Sequence, residues 1–281
     1  MADIALYTAT IGGYETPTAI LPDQDSLDYP AGNIDYYRFE DASVAAAPVV
    51  GQTPSPTSPW THIQDKERVP GDPIRSARAI KILGHPALST YDVTVWIDNR
   101  VRLKVAVEEL VERFLPAGVD VALPLHSYHQ SLSEEFEAIL HGRFDDPRRV
   151  REQKRTYSRT MPNLFAQPVY WTAILIRRNN AAVERFNTIW WEQVLRYSRR
   201  DQLSFPYACA ATPELSVMPF PADNFESDFH EWRTFSDVGR PPGAGHWKPA
   251  SLNSELFDTA RFVKDGIKSA VTARRERWKV R

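Results

Sequence analysis

Tyr91-Asp92-Val93-Thr94-Val95-Trp96-Ile97-Asp98-Asn99 is an apolar, β-branched run that ends abruptly in a carboxylate, with Arg100 next. A buried parallel strand reads this way, and in open α/β sheets ligands bind just beyond the carboxyl ends of such strands. Asp98 at that position can hold a divalent cation against a diphosphate, or orient a sugar. Asp-Asn is also ordinary turn chemistry, so residue type alone leaves a strand-terminating turn open.

Two further stretches carry chemistry. Arg75, Arg78 and Lys81 recur at i, i+3 and i+6, so Arg75 and Arg78 share a helix face with Lys81 near it. Guanidinium forks suit phosphate oxygens, although a solvated helix face is the commoner fate of such charges. Ser198-Arg199-Arg200-Asp201-Gln202-Leu203-Ser204-Phe205 joins a carboxylate to a carboxamide directly after the Trp190-Trp191 helix. Asp201 can take a proton from an attacking hydroxyl or bind sugar hydroxyls, and Gln202 both donates and accepts. Asp201 can equally be an N-cap for the helix that follows.

Other candidates are weaker. Thr8-Ala9-Thr10-Ile11-Gly12-Gly13-Tyr14 is a turn whose glycines allow a ligand close to the backbone and whose Tyr14 can stack on a base. It is neither GxGxxG nor a GxxxxGK[ST] loop, which removes the dinucleotide fingerprint and the P-loop NTPases. His126 and His129 have a spacing a metal could use, without a visible second ligand pair. Glu134 and Glu135 beside them read as helix-start charges.

The elements that must position these groups alternate. Strands are expected at Ile4 to Thr10, Ile34 to Phe39, up to Asp98, Asp120 to Leu125, Tyr170 to Ile176 and, last, Leu215 to Phe220. Helices are expected at Pro73 to Leu83, Lys104 to Leu115, Ser131 to Leu140, Arg148 to Arg159, Asn180 to Tyr197 and from Asp201 to Ala208. Ser131 with Glu134 suggests a capping box. Gln52 to Trp60, rich in Pro, Ser and Thr, reads as a surface loop, and 221–250 as irregular. This alternation implies one α/β domain over 1–250, with a mostly parallel central sheet, helices on both faces, and a basic, helical segment over 251–281.

Composition narrows the classes. A chain of 281 residues with 8 Trp and 13 Phe can bury a sizeable core, and a net charge of −2 argues against a generic nucleic-acid binder. The charge is unevenly spread: residues 261–281 carry net +6, leaving −8 for the rest. The single Cys209 excludes an intrachain disulfide and fits a reducing cytoplasm, and without CxxC a structural zinc site is not expected. Met1-Ala2-Asp3 runs straight into Ile4-Ala5-Leu6-Tyr7, so no signal peptide is expected, and no apolar run approaches ~18 residues.

With those residues set out, the chain resembles GT-A-type glycosyltransferases, with their Rossmann-like fold. More narrowly it is similar to the glycosyltransferase-like family shared by bacterial capsule or lipopolysaccharide proteins and plant mucilage-related proteins. The likeness runs from about Ile4 to Tyr207 and rests on the order and spacing of short pieces. These are Tyr7 to Tyr14, Phe39-Glu40-Asp41, Arg75 to His85, Trp96-Ile97-Asp98, then His126, Glu134-Glu135, Gln153 and Tyr157, Trp190-Trp191-Glu192 and Arg200 to Phe205. The resemblance implies sugar transfer from a nucleotide-sugar donor to a glycan or lipid-linked acceptor. By it, Thr8, Gly12, Tyr14 and Asp41 would hold the nucleotide, Arg75, Arg78 and Lys81 the diphosphate, Asp98 the metal and donor sugar, and Asp201 with Gln202 the reacting sugars. The fold's usual Asp-x-Asp motif would need a carboxylate at position 100, where this chain has Arg100. His230 and His246 are the candidates to complete a Mn²⁺ or Mg²⁺ site, and Arg100 is the alternative source of positive charge.

A catalytically silent nucleotide-sugar-binding protein, and a transferase acting on nucleic acid or protein, are the competing readings. Cytoplasmic localisation is expected, with a peripheral position at the inner face of the membrane if the basic segment binds it. There Ile267, Val271 and Trp278 form an apolar stripe among Lys and Arg at helical spacing.

Overall fold

The structure, a computed structural model, describes residues 3–12, 34–42 and 60–232, all within a compact unit spanning Met1–Gly245. Gly13, Tyr14, His246, most of the 52–60 loop and the basic 251–281 segment lie outside the described residues. No helix among the described residues is long and apolar enough to cross a membrane.

A seven-stranded sheet forms the centre. Its strands are β1 (Ile4–Thr10), β2 (Ile34–Glu40), β3 (Trp60–Gln64), β4 (Val93–Ile97), β6 (Val121–Pro124), β7 (Ile174–Arg178) and β8 (Val217–Phe220), in the order β3-β2-β1-β4-β7-β6-β8. All run parallel except β7, which is antiparallel to both neighbours. A small second sheet pairs β5 (Val101–Leu103) with β9 (His230–Trp232). The mostly parallel α/β class is therefore as expected.

Alternation along β1 shows why both faces are covered. Ile4 and Leu6 pack with Val107 and Leu110 of α2 (Val107–Phe114), while Ala5, Tyr7 and Ala9 pack on the other face. That second face is closed by Ile80 and Ile82 of α1 (Pro73–Leu83), by α5 (Ala181–Arg196) and by α6 (Phe205–Ala210). Helix α5 buries Val183, Phe186, Trp190 and Val194, the one-face spacing of an amphipathic helix. A third cluster joins α3 (Leu132–Gly142) to α4 (Pro147–Thr160) through Phe136, Val150 and Tyr157.

Several expectations need correction. The strand expected over Tyr170 to Ile176 begins four residues later and ends two later, because Arg177 faces inward rather than ending the strand. Its guanidinium donates to the carbonyls of Lys81 and Ile82 at 2.8 Å each, capping the C-terminal end of α1 where backbone oxygens lack partners. Leu215 to Phe220 is not the last strand, since β9 follows, and Trp60 begins β3 rather than ending a loop. The box at α3 is offset: Ser131 Oγ accepts from the Glu134 amide, but the Glu134 carboxylate accepts from Gln130 N–H.

Candidate functional site

Parallel strands β1, β2, β4 and β6 end on one edge of the sheet, and antiparallel β7 begins there. The backbone fixes the level of each: Asp98 N–H donates to Ala173, Trp171 N–H to Pro124, and His126 N–H to Val169. The loops carrying Asp41, Asp98, Thr172 and His126 are thus neighbours on that edge.

Helix α1 supplies the cations. Asp72 caps its first turn by accepting from Arg75 N–H, Pro73 occupies the first position, and Gly84 at φ +75° ends it. The two charges three residues apart project differently. Arg75 is committed to Asp72 (2.5 Å) and to the carbonyls of Val194 and Tyr197, so it fastens α1 to α5 instead of facing a diphosphate. Arg78 reaches Asp201 at 3.2 Å and Asp98 at 3.8 Å. Lys81 Nζ lies 2.7 Å from Asp201, 3.6 Å from Asp98 and 3.0 Å from Thr172 Oγ1. Two cations and two carboxylates therefore form one compact, charge-balanced cluster.

Its members differ in depth. Lys81 and Asp201 side chains are 0% and 2% exposed, whereas Arg78 and Asp98 are 21% and 20% exposed. Burial raises the pKa of Asp201, but Arg78 and Lys81, with hydrogen bonds from Lys81 and Thr172, outweigh it and hold the carboxyl at about 2. Burial lowers the pKa of Lys81 while Asp201 and Asp98 oppose the fall. A carboxylate so fully compensated is a weak proton acceptor near neutrality. Nor is Asp201 a cap, since its side chain turns into the cluster and the 3-10 turn it opens has no side-chain cap. Trp190 Nε1–H holds its carbonyl at 2.9 Å, and Gln202 beside it is half-buried without a hydrogen bond among the described residues.

The nucleotide-side residues divide. Thr8 is fully buried and donates to Asn99 Oδ1 at 2.7 Å, while Asn99 Nδ2 donates to Ala9 O and Thr10 Oγ1. That latch ties the end of β1 to the residue after Asp98. Gly12 N–H donates to Asp41 at 2.8 Å, joining the β1 and β2 ends. Gly12 adopts φ +70°, and a Cβ there would meet Pro73 Cβ at 2.3 Å, so it allows α1, rather than a ligand, to approach closely. A small cavity of about 50 Å³ lies between this turn, α1, Trp96 and Asp98. A larger one of about 730 Å³ lies at the opposite edge, by His85 and Asn179, away from the charged cluster.

Around Asp98 the described residues do not complete a dication site; the one group of three potential ligands among them is His126, His129 and Glu135. Asp98 Oδ1 accepts from Trp96 Nε1–H at 2.7 Å, within reach of both cations, and belongs to no group of three potential ligands among the described residues. Arg100 lies over the Trp232 ring at 4.7 Å. His230 is buried, with Nδ1 paired to Ser227 Oγ at 2.6 Å and Nε2 unpartnered among the described residues. Burial lowers its pKa to about 4. Its ring packs on Trp171 at 5.0 Å.

Sequence reasoning did not single out Asn99, Thr172, Trp96 or Arg177 as site-building groups. Asn99 stood beside Asp98 in plain view; Thr172 and Arg177 carried no local signal. Gln153 and Tyr157, noted only for their order, brace the loop before Asp201. Gln153 Oε1 accepts from Ser198 N–H, and Tyr157 OH donates to Gln193.

Fold and edge together define an α/β domain with paired charges at the carboxyl ends of its strands. A family model described as TOD1/MUCI70, glycosyltransferase-like domain, matches residues 50–227, and the chain belongs to that family: it is a glycosyltransferase. No curated protein matches it. Galactosyltransferase LgtC, solved with donor and acceptor sugar analogues, is similar at TM-score 0.42 and 10% identity, over 76% of this chain and 72% of that one. Mouse xyloside xylosyltransferase 1, apo form, gives TM-score 0.44 and 12% identity, over 78% and 84%. Likeness at that level adds no argument to the family membership.

Proposed function

We propose that this protein moves a sugar from a nucleotide-sugar donor to a glycan acceptor in surface polysaccharide assembly. The observation that supports it best is the grip of Arg78 on both Asp98 and Asp201 at the carboxyl edge. An incoming diphosphate would meet the partly exposed Arg78 first. Lys81, buried behind it, would keep Asp98 and Asp201 in place. Charge held ready at the leaving group stabilises the departing nucleoside diphosphate without reorganisation at the moment of bond breaking. Asp98, which faces the small cavity, would receive donor-sugar hydroxyls, with Gln202 available to the reacting sugars. Asp201 acts here by organising charge rather than by taking a proton. A lipid-linked acceptor at the cytoplasmic face of a membrane would suit the basic 261–281 segment.

Binding of UDP- or GDP-linked sugars should raise the melting temperature, since ligand bound only to the native state stabilises it. Asp98→Ala should abolish transfer while leaving circular dichroism and unfolding cooperativity unchanged. Full turnover by that variant would remove Asp98 from the donor site.

A further inference from the structure

One step along the same edge, beyond β7, lies a second cluster that the charged site does not use. The loop after β6 is fastened to the 222–225 segment. Ser127 N–H donates to Asn224 Oδ1 at 3.1 Å, Ser127 Oγ–H donates to Ala222 O at 3.0 Å, and Asn224 N–H donates to Ser127 Oγ at 2.7 Å. So fixed, the loop presents Tyr128, 55% exposed, against Phe225, 50% exposed, their ring centroids 5.8 Å apart. Beneath them the His126 and His129 rings stack at 4.7 Å with 4° between planes. His129 Nδ1 meets Glu135 Oε2 at 2.5 Å, and Glu135 is buried on the first turn of α3.

This is a poor metal site as it stands. Parallel rings direct their lone pairs along parallel planes, so they cannot converge on one ion at the ~2.0–2.1 Å a His nitrogen requires. His126 Nδ1 already accepts from the amides of Tyr128 and His129, and His129 Nδ1 is taken by Glu135. What the arrangement does provide is an oriented imidazole. With Nδ1 bound to a buried carboxylate, Nε2 is left as proton acceptor, the logic of a base held by a third group.

Position decides what it would act on. Glu135 lies within electrostatic reach of Arg200 and Asp201, so the dyad borders the charged cluster. With β7 alone between β4 and β6, the strand ends differ by two spacings, roughly 10 Å, which leaves room for a sugar ring between Asp98 and the dyad. Exposed, edge-to-face aromatics beside it offer an apolar surface with the Tyr128 hydroxyl as a polar tip, suited to the face of a pyranose.

Resting on the transfer reading above, we propose that this loop is the acceptor subsite. Tyr128 and Phe225 hold one face of the acceptor sugar, and His129 Nε2 takes the proton of its attacking hydroxyl. The hydroxyl oxygen forms the new bond to the donor's anomeric carbon. The bond from that carbon to phosphate breaks, and its electron pair leaves with the nucleoside diphosphate. Glu135 is a positioning residue that fixes the imidazole through Nδ1. The charged or titratable groups around the pair are His126 from the same loop, and Arg200 and Asp201 from the segment after α5.

The test uses the full chain, UDP- and GDP-linked sugars as donors, and methyl glycosides as acceptors. His129→Asn, Glu135→Gln, Tyr128→Ala and Phe225→Ala should all keep the wild-type thermal shift with donor. Tyr128→Ala and Phe225→Ala, both at exposed positions, should raise the acceptor KM by about tenfold with kcat nearly unchanged. His129→Asn should lower kcat by about 10²-fold or more and erase the acidic limb of its pH profile. Glu135→Gln should lower kcat by about tenfold with the acceptor KM nearly unchanged, as loss of imidazole orientation requires. Wild-type kcat and an unchanged profile in His129→Asn, or an unchanged acceptor KM in both aromatic variants, would overturn the proposal. So would loss of the donor shift in these variants, which would make the loop part of the donor site. A wild-type protein that shows no donor shift would instead fail the transfer reading itself.

Discussion

Asp201 and Lys81 form an ion pair that water does not reach, and such pairs are costly to break one partner at a time. Asp201→Asn should destabilise the fold by about 3–5 kcal/mol in urea denaturation, because Lys81 is left charged and buried. Adding Lys81→Met should recover most of that loss; no recovery would mean the pair is not the cause. The same carboxyl sets an acid limit. Its folded pKa, about 2, lies below the ordinary 3.8, so its contribution is complete above that ordinary value and is lost as pH falls through about 2. That contribution is on the order of 2 kcal/mol, and Asp201→Asn should flatten the stability curve over this window. Asp98 makes a different prediction. It meets two cations and belongs to no group of three potential ligands among the described residues, so EDTA should slow transfer by roughly tenfold at most, and Mn²⁺ should restore it. Complete loss in EDTA would require ligands away from Asp98, either the His126, His129 and Glu135 group or residues beyond those described, and His129→Asn and His246→Ala would tell them apart. The identity of these residues was legible in the sequence. Their pairings were not, because Thr172 and Arg177 act across chain separations of 29 and 96 residues.

Helix α1 carries the cations, and its placement depends on contacts at both ends. At the start, Gly12 accepts the approach of Pro73; at the finish, Arg177 receives its last carbonyls. Gly12→Ala combines a left-handed backbone with a Cβ only 2.3 Å from Pro73 Cβ in a rigid ring, so the helix start must shift. We expect a loss of about 2–3 kcal/mol in unfolding free energy, together with weaker donor binding. Intact donor affinity with that loss of stability would show that α1 is held elsewhere. Elements with strong periodicity were readable: α1 begins and ends at the expected residues, since Asp72-Pro73 and Gly84 mark both ends. Short pieces were not. β3, β5 and β9 owe their existence to partners remote in sequence, and β7 was displaced because its two arginines look like a strand end. The cluster at His126 stayed obscure for the same reason: Glu135 looked like a helix-start charge until the fold turned it inward.

At the scale of the whole chain the salient property is charge separation, net +6 over residues 261–281 against −8 for the remainder. An acidic body does not approach an anionic surface unaided, so any such approach must be led by the basic segment. Each Lys or Arg near such a surface contributes about 1 kcal/mol, and Trp278 among them suits the interface. Attraction of this origin decays within a Debye length, about 8 Å at physiological salt and about 3 Å at 1 M. We therefore expect the full chain to sediment weakly with vesicles containing phosphatidylglycerol at low salt. It should be released by added salt and should ignore neutral phosphatidylcholine vesicles. Deleting 261–281 should abolish the association while leaving transfer to a soluble methyl glycoside intact, because Asp98, Arg78 and Lys81 all lie within the separate Met1–Gly245 unit. Equal sedimentation of full-length and truncated protein would refute the membrane role, and loss of soluble transfer on truncation would give the segment a part in the site itself.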